Sequence, residues 1–399
     1  MKIIRAHRIR LNPNNKQKTY FKKACGVARF AYNWGLENWK NEYEKGAKIS
    51  ANILAIQFNN IKRDEFSFVL EVTKCAAHHS FTNLGKAFSN FFRNVKQGKK
   101  AGYPKFKKRG IRDSFYLAND KFKIEDKKIK IPKLGWVRMR ESLRFEGKIL
   151  SATVSRQADK WFVSISVEME IPVPVHENQG SAVGIDFGIK KFATLSDGEI
   201  VVGPKPYKQL LRRLRLLNKS LSRKKKGSKN REKAKMNLSK LHIRIANIRN
   251  DTLHKFTSQI TTKYHIIGIE DLDVKGMARN KRLARSILDM GWREARRQTE
   301  YKAEVTGSEV IVADRFYPST QTCCICGQIH DMPLEKRMMV CDCGNTMDRD
   351  ENAATNLENM AVGSRLQSAE TVLDSSERLS MKQKLTIYPV DIVRIKEQK

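Results

Sequence analysis

The chain has 399 residues and a mass of 46.0 kDa, enough for two to four domains at about 150 residues each. Lys and Arg number 78 against 42 Asp and Glu, a formal charge of +36 whose self-repulsion calls for a polyanion, so nucleic acid is the expected partner. No run of about 18 apolar residues marks a membrane span, and the opening MKIIRAHRIR alternates charge with apolar residues where a signal peptide would be unbroken, so a cytoplasmic, nucleoid-associated protein with no membrane partner is expected.

Residues 2–11 alternate like a half-buried strand, NPNN breaks the pattern, and Phe21, Ala24, Ala28 and Ala31 then recur at helical steps. Helical periodicity continues to about residue 97, where Phe81, Phe88, Phe91 and Phe92 alternate with Lys74, His78, Lys86 and Arg93. Residues 93–133 hold 15 Lys/Arg against 4 Asp/Glu. Within them Lys99, Lys100, Tyr103, Lys105, Lys107, Lys108 and Arg109 mix cations with an aromatic ring, as phosphate contact plus base stacking requires, although a basic run is more often only a solvated face. IKIPKLGWVRM and ATVSRQADKWFVSISVEM read as strands of a β-rich domain that ends at the proline-punctuated IPVPVHENQG.

SAVGIDFGIKKFATLSDGEIVVG then reads as three strands joined by turns. Residues 203–250 carry 17 Lys/Arg and one acid, with Leu210, Leu214, Leu217 and Leu221 at helical steps; they predict a helical hairpin broken at KKKGSKN, where Lys224, Lys225 and Lys226 offer further phosphate contacts. HIIGIEDL supplies a buried strand, a helix is expected near 291–305, and SEVIVADRF is a fourth strand. DRDENAATNLENMA opens a helix with acids at its start, and the polar residues 363–399 read as a mobile tail despite LTIYPVDIV.

Two patterns carry chemistry. Cys323-x2-Cys326 and Cys341-x-Cys343, with fourteen residues between the pairs, supply four thiolates for one tetrahedral structural Zn²⁺. Cys324 is left over as a bystander, His330 reads as a loop histidine, and Cys25 and Cys75 stand apart. A closed site of this kind holds the fold and leaves the reaction to other residues. The second pattern is three carboxylates: Asp186 inside the apolar VGIDFG, Glu270 ending IIGIEDL, and Asp350 opening the last helix. Each alone has an ordinary explanation as a turn, strand-end or capping residue. Together, on a strand–hairpin–helix–strand order resembling ribonuclease H, they could hold two Mg²⁺ ions about 4 Å apart. Asp348 suits the helix cap and Asp350 the metal, since Ala353 and Ala354 after it permit close packing on a sheet.

GIDFG, IEDL, the cysteine pattern, DRDENAATNL and GYPKFKKRG together resemble the transposon-encoded TnpB (OrfB) proteins, relatives of the type V CRISPR effectors, over about residues 1–360. The likeness implies an α/β and β multidomain fold: an RNase H-like (RuvC-type) nuclease core with a zinc-ribbon insert, plus a β-barrel-like wedge domain containing a helical insertion. The wedge would comprise residues 1–11 and 98–180, the helical recognition domain 12–97, the nuclease 181–317 and 346–362, the ribbon 318–345 and the tail 363–399. It implies an RNA-guided DNA endonuclease with Asp186, Glu270 and Asp350 as the nuclease triad. Its partners would be a guide RNA from the transposon end and double-stranded target DNA with its unwound strands, cut beside a short adjacent motif read in the helical region. The second cysteine pair departs from the family's usual CxxC, which bears on the geometry of the zinc more than on its binding. An RNA-guided repressor without cleavage, a DDE-like transposase and a plain zinc-ribbon binder are the competing readings. Intact carboxylates speak against the first, and the third leaves the buried Asp186 unexplained.

Overall fold

The computed structural model describes residues 1–333, 335–365 and 367, and they form two compact units: residues 1–172 with 232–243, and residues 173–231 with those from 244 on. The boundary after Pro172 falls inside the IPVPV segment.

In the first unit, β1 (Lys2–Leu11) buries His7, Ile9 and Leu11 on one face, as its period-two pattern dictates. Asn14 stops the strand and starts α1 (Asn15–Glu44): its side chain accepts the Gln17 N–H while the Gln17 side chain accepts the Asn14 N–H, a reciprocal cap. Ser50 and Thr73 cap α2 (Ala51–Ile61) and α3 (Lys74–Lys96). Phe81, Leu84 and Phe88 of α3 are buried, with Trp39 of α1 stacked 4.1 Å from Phe88. Then follow β2 (Ser114–Ala118), β3 (Lys123–Glu125), β4 (Lys128–Ile131), β5 (Gly135–Arg138), β6 (Lys148–Gln157) and β7 (Lys160–Glu170). An antiparallel sheet runs β1-β7-β6-β2, with β1 zipped to β7 from Lys2↔Glu170 to Leu11↔Trp161; β3-β4-β5 form a second sheet. Phe21 of α1 packs 5.8 Å from Phe115 of β2 and 5.0 Å from Trp161 of β7, so helices and strands share one core.

The second unit contains β8 (Ala182–Phe187), β9 (Ala193–Leu195), β10 (Ile200–Val201), α4 (Pro206–Gln209), α5 (Leu211–Ser222), α6 (Lys229–Lys263) apart from its residues 232–243, and β11 (Ile266–Ile269). After them come α7 (Val274–Met277), α8 (Ala284–Met290), α9 (Trp292–Thr306), β12 (Glu309–Val312), β13 (Met338–Val340), β14 (Thr346–Asp348) and α10, residues 349–365. Its sheet has the order β10-β9-β8-β11-β12, which in order of appearance is 3-2-1-4-5; β9 runs antiparallel to its neighbours while β8, β11 and β12 are parallel. Val183, Ile185, Ile267 and Ile269 share a core with Phe256 and Ile260 of α6 and Ala295 of α9. The hairpin expected over 203–250 is longer: Leu253, Phe256 and Ile260 extend the buried stripe of α6 to Lys263, and of the four spaced leucines only Leu214 is fully buried.

The first residues of the tail expected from residue 363 are helical instead. Residues 363–365 continue α10, where Arg365 lies 3.2 Å from Glu309 and donates to His265 Nδ1 at 3.2 Å. Apart from Gln367, the remainder of that tail lies outside the described residues.

Candidate functional site

Period two fixes which residues of β8 and β11 face α10. Val183, Ile185, Ile267 and Ile269 point into the core, so Gly184 and Asp186 share the other face, as do Gly268 and Glu270. Gly184 and Gly268 are register partners, as are Ile185 and Ile269, so Asp186 and Glu270 emerge side by side at the carboxyl ends of two parallel strands. The helix α10 lies directly on the paired glycines: a Cβ at Gly184 would stand 1.8 Å from the Ala354 carbonyl oxygen, and one at Gly268 2.2 Å from that of Leu357. Asp350, one turn before Ala354, is near enough for its charge to act on Asp186, although the oxygens of the three carboxylates do not all lie within 4.8 Å of one another.

These carboxylates repel one another. Burial first, then a hydrogen bond with Glu270 and the charges of Glu270 and Asp350, push the Asp186 carboxyl well above the usual range, with Arg349 opposing. Asp348 acts as a cap: its Oδ1 accepts the Asp350 N–H at 2.9 Å, and Lys191 Nζ lies 3.5 Å from Asp348 Oδ1 and 4.0 Å from Asp350 Oδ2. An all-oxygen donor set with mutual repulsion fits a hard divalent cation.

The thiols are set more tightly. Among the described residues, Cys323, Cys326, Cys341 and Cys343 form the one group of three or more metal-ligand side chains whose donor atoms all lie within 4.8 Å of one another. Cys323 Sγ is 3.7 Å from Cys343 Sγ, and Cys326 Sγ 3.4 Å from Cys341 Sγ; a tetrahedron of about 2.3 Å Zn–S bonds has edges of about 3.8 Å, so the set fits zinc. Burial opposes ionisation of Cys323, but the N–H groups of Cys326 and Ile325 and the Asn345 amide bring its thiol down to about 6. The one-residue Cys341-Asp342-Cys343 turn sits between β13 and β14, and the antiparallel pairing of those strands brings the thiols to the first pair. Cys324 is outside the cluster, its Sγ 3.4 Å from Met347 Sδ, and His330 is not part of it.

Three asparagines of α10 fasten this ribbon to the carboxylate helix. Asn352 accepts the Cys324 N–H at 3.0 Å and donates to the Thr322 carbonyl at 2.7 Å. Asn356 donates to the Ser319 and Thr322 carbonyls at 2.8 and 2.6 Å, and Asn359 to the Cys324 carbonyl at 3.3 Å. The spacing of four and then three residues places all three on one helix face, a periodicity present in ENAATNLEN.

Family models match three stretches: "Probable transposase" at residues 164–281, "Cas12f1-like, TNB domain" at 292–357, and "Helix-turn-helix domain" at 1–48. A protein of Escherichia coli (strain K12) named "Putative RNA-guided DNA endonuclease InsQ" is 37% identical over 82% of this chain and 84% of its own length. The chain belongs to the TnpB (OrfB) family. A Streptomyces pristinaespiralis protein named "Putative RNA-guided DNA endonuclease" is 34% identical over 89% of both chains. Among solved structures, the cryo-EM structure of a Cas12f1–sgRNA–target DNA complex shares the fold at a TM-score of 0.55 and 16% identity, covering 86% of this chain and 83% of that one.

In this TnpB-family chain the basic residues singled out from sequence are spread over two units. Lys99, Lys100, Lys105, Lys108 and Arg109 are exposed. Tyr103 is only half free, its ring edge-on to Phe88 and Phe91 at 5.5 Å, and Lys107 is engaged, its Nζ 3.9 Å above the Tyr32 ring. In the second unit Lys225 and Lys226 are exposed and Lys224 is partly covered, in the turn between α5 and α6.

Two concave sites went unread in the sequence. One, about 750 Å³ in the first unit, is lined by Lys62, Lys74, His78, Tyr116, Lys121 and Lys133. The other, about 950 Å³, sets Lys275, Arg293, Arg296, Arg297 and Arg315 among Glu270, Asp271, Asp273, Glu294 and Glu300. The signal for the latter was Arg293, Arg296 and Arg297 at helical steps in α9.

Proposed function

We propose that the protein is a divalent-metal-dependent, RNA-guided DNA endonuclease of the RuvC type. The observation that carries this reading is that Asp186 and Glu270 stand side by side at the carboxyl edge of a 3-2-1-4-5 sheet, with Asp350 on the helix packed against it, an arrangement that supports a ribonuclease H-like core. The relatives named as RNA-guided DNA endonucleases and the fold shared with a Cas12f1 chain in complex with RNA and DNA support the same reading. Two Mg²⁺ held by these carboxylates would supply an activated water and neutralise the leaving 3′-oxygen. The chain's own groups do the rest. Asp348 caps α10 and fixes the direction of Asp350, the paired glycines set its height, and Lys191 balances the acidic cluster from one side. In the cleft beside Glu270 the exposed Lys275 and Arg293 offer phosphate contacts for an unpaired strand, and the exposed lysines of both units track the guide backbone. The target-adjacent motif would be read in the first unit, where Lys74 and His78 of α3 line the concave site. The ribbon holds one structural zinc.

The test is to purify the protein from its host, sequence the RNA that comes with it, and incubate the complex with plasmid carrying the matching target. Linear ends that need both the RNA and Mg²⁺ are expected. Joining of transposon DNA to the target without RNA would overturn the reading in favour of a DDE-like transposase, and RNA-dependent binding without cutting in favour of a repressor.

A further inference from the structure

Phe316 is 87% exposed, the largest value among the large apolar side chains described. One exposed phenylalanine on a loose loop would mean little. This one stands on a braced turn. The Ala313 N–H donates to the Ile269 carbonyl at 2.8 Å, so the chain leaves β12 beside the strand end that carries Glu270. Asp314 then accepts the Phe316 N–H on its Oδ1 at 2.8 Å and the Tyr317 N–H on its carbonyl at 3.0 Å. Arg315 donates to Asp271 Oδ2 at 2.6 Å, and the Tyr317 hydroxyl to the Asn356 carbonyl at 3.3 Å. Asp314, Arg315 and Tyr317 are thus tied down, and the ring between them is held out into solvent.

Its surroundings name the occupant. Arg315 also lines the cleft that Glu270 borders; carboxylates of the same cleft pair Arg296, Arg297 and Arg315, which leaves the exposed Lys275 and Arg293 as the cations outside any ion pair among the described residues. Cations that contact phosphates beside a ring that offers a flat face is the chemistry of single-stranded nucleic acid, in which every base has a π-face and stacking tolerates any sequence. We propose that Phe316 is a nucleobase-stacking residue: an unpaired strand approaching the carboxylates lays one base on its ring, which sets which phosphate reaches the metal site. This rests on the nuclease reading above. Phe316 acts by positioning the strand and takes no part in the chemistry.

The experiment uses the full-length, RNA-loaded protein and short single-stranded DNA carrying 2-aminopurine at successive positions, with divalent ions omitted. Fluorescence should be quenched at one position in the wild type and in Phe316→Tyr, and not in Phe316→Ala. With Mg²⁺ present, Phe316→Ala should raise KM for the single strand about tenfold with kcat little changed, and spread the cut positions. Its melting temperature should match the wild type, because the ring is in water. Equal quenching and equal KM in Phe316→Ala would overturn the proposal, as would a lowered melting temperature, which would mark a packing role. A wild type that quenches 2-aminopurine but never cuts would refute the nuclease reading and uphold the stacking site.

Discussion

Gly184 of β8 and Gly268 of β11 are paired in register, and both lie against the backbone of α10. Each stands two residues before a carboxylate, so one pair of missing side chains sets the height of the helix that carries the third. Gly184→Ala forces α10 away from the sheet, since no flexible side chain is there to yield. The expected cost is about 1–3 kcal/mol of stability, with cleavage lost even where the protein stays folded. Gly363→Ala is the control: nothing lies within 4 Å of its added Cβ, and alanine in a helix interior is worth about 0.5–1 kcal/mol over glycine. Thermal melts paired with cleavage rates check both.

On the nuclease reading proposed above, Asp186 is held at a cost to stability, because it is half-buried beside two other carboxylates. Asp186→Asn should abolish cleavage and, in a chelator, raise the melting temperature by a few degrees. Mg²⁺ should then stabilise the wild type and leave the variant unmoved, since only the wild type gains a relieved repulsion when the ion binds. A variant that melts lower than the wild type in chelator would count against the repulsion.

The two aspartates flanking Arg349 should separate cleanly. Asp348→Ala removes the acceptor for the Asp350 N–H and should cost about 1 kcal/mol, with cleavage retained at permissive temperature. Asp350→Ala should leave guide and target binding intact and stop cleavage, because the group it removes is needed mainly in the transition state. Robust cutting by Asp350→Ala, or a folded but dead Asp348→Ala, would reverse the two roles.

Much of this was legible in the residues. The alternation in VGIDF and IIGIE marks strands, and the glycine two positions before each acid was in plain view once both were known to face one helix. What could not be read was anything set by contacts distant in sequence. The Arg365–Glu309 pair that carries α10 past residue 362, the cation–π contact that engages Lys107, and the gathering of α9 arginines beside Glu270 all join segments with no local signature of one another. A count of charges cannot tell a lysine over a tyrosine ring from one in water.

The basic tracts therefore call for selective tests. RNA binding should fall steeply with salt, since many phosphates release counterions. Replacing exposed Lys225 and Lys226 together with Lys224 should weaken binding across unrelated sequences and flatten the salt slope, whereas Lys107→Gln should act mainly through lost packing on Tyr32. Filter binding over a salt series distinguishes the two.

The zinc site was expected to hold its own fold and leave the carboxylates alone, but Asn352 changes that expectation. Its side chain is 0% exposed and bonds both Cys324 and Thr322, the residues flanking the ligand Cys323, while its backbone is two residues from Asp350. Whatever loosens the ribbon therefore loosens the start of the helix that carries Asp350. About one zinc per chain is expected, lost in Cys341→Ser and kept in Cys324→Ser, because a closed site needs all four thiolates. Asn352→Ala should keep its zinc, lose about 1–3 kcal/mol through the unpaired Cys324 N–H, and cut bound target more slowly. Stripping zinc from a complex already on its target should slow cleavage likewise, since the same bonds would be lost from the other side. Cleavage at full rate by the zinc-free complex would show that α10 holds Asp350 in place without the ribbon.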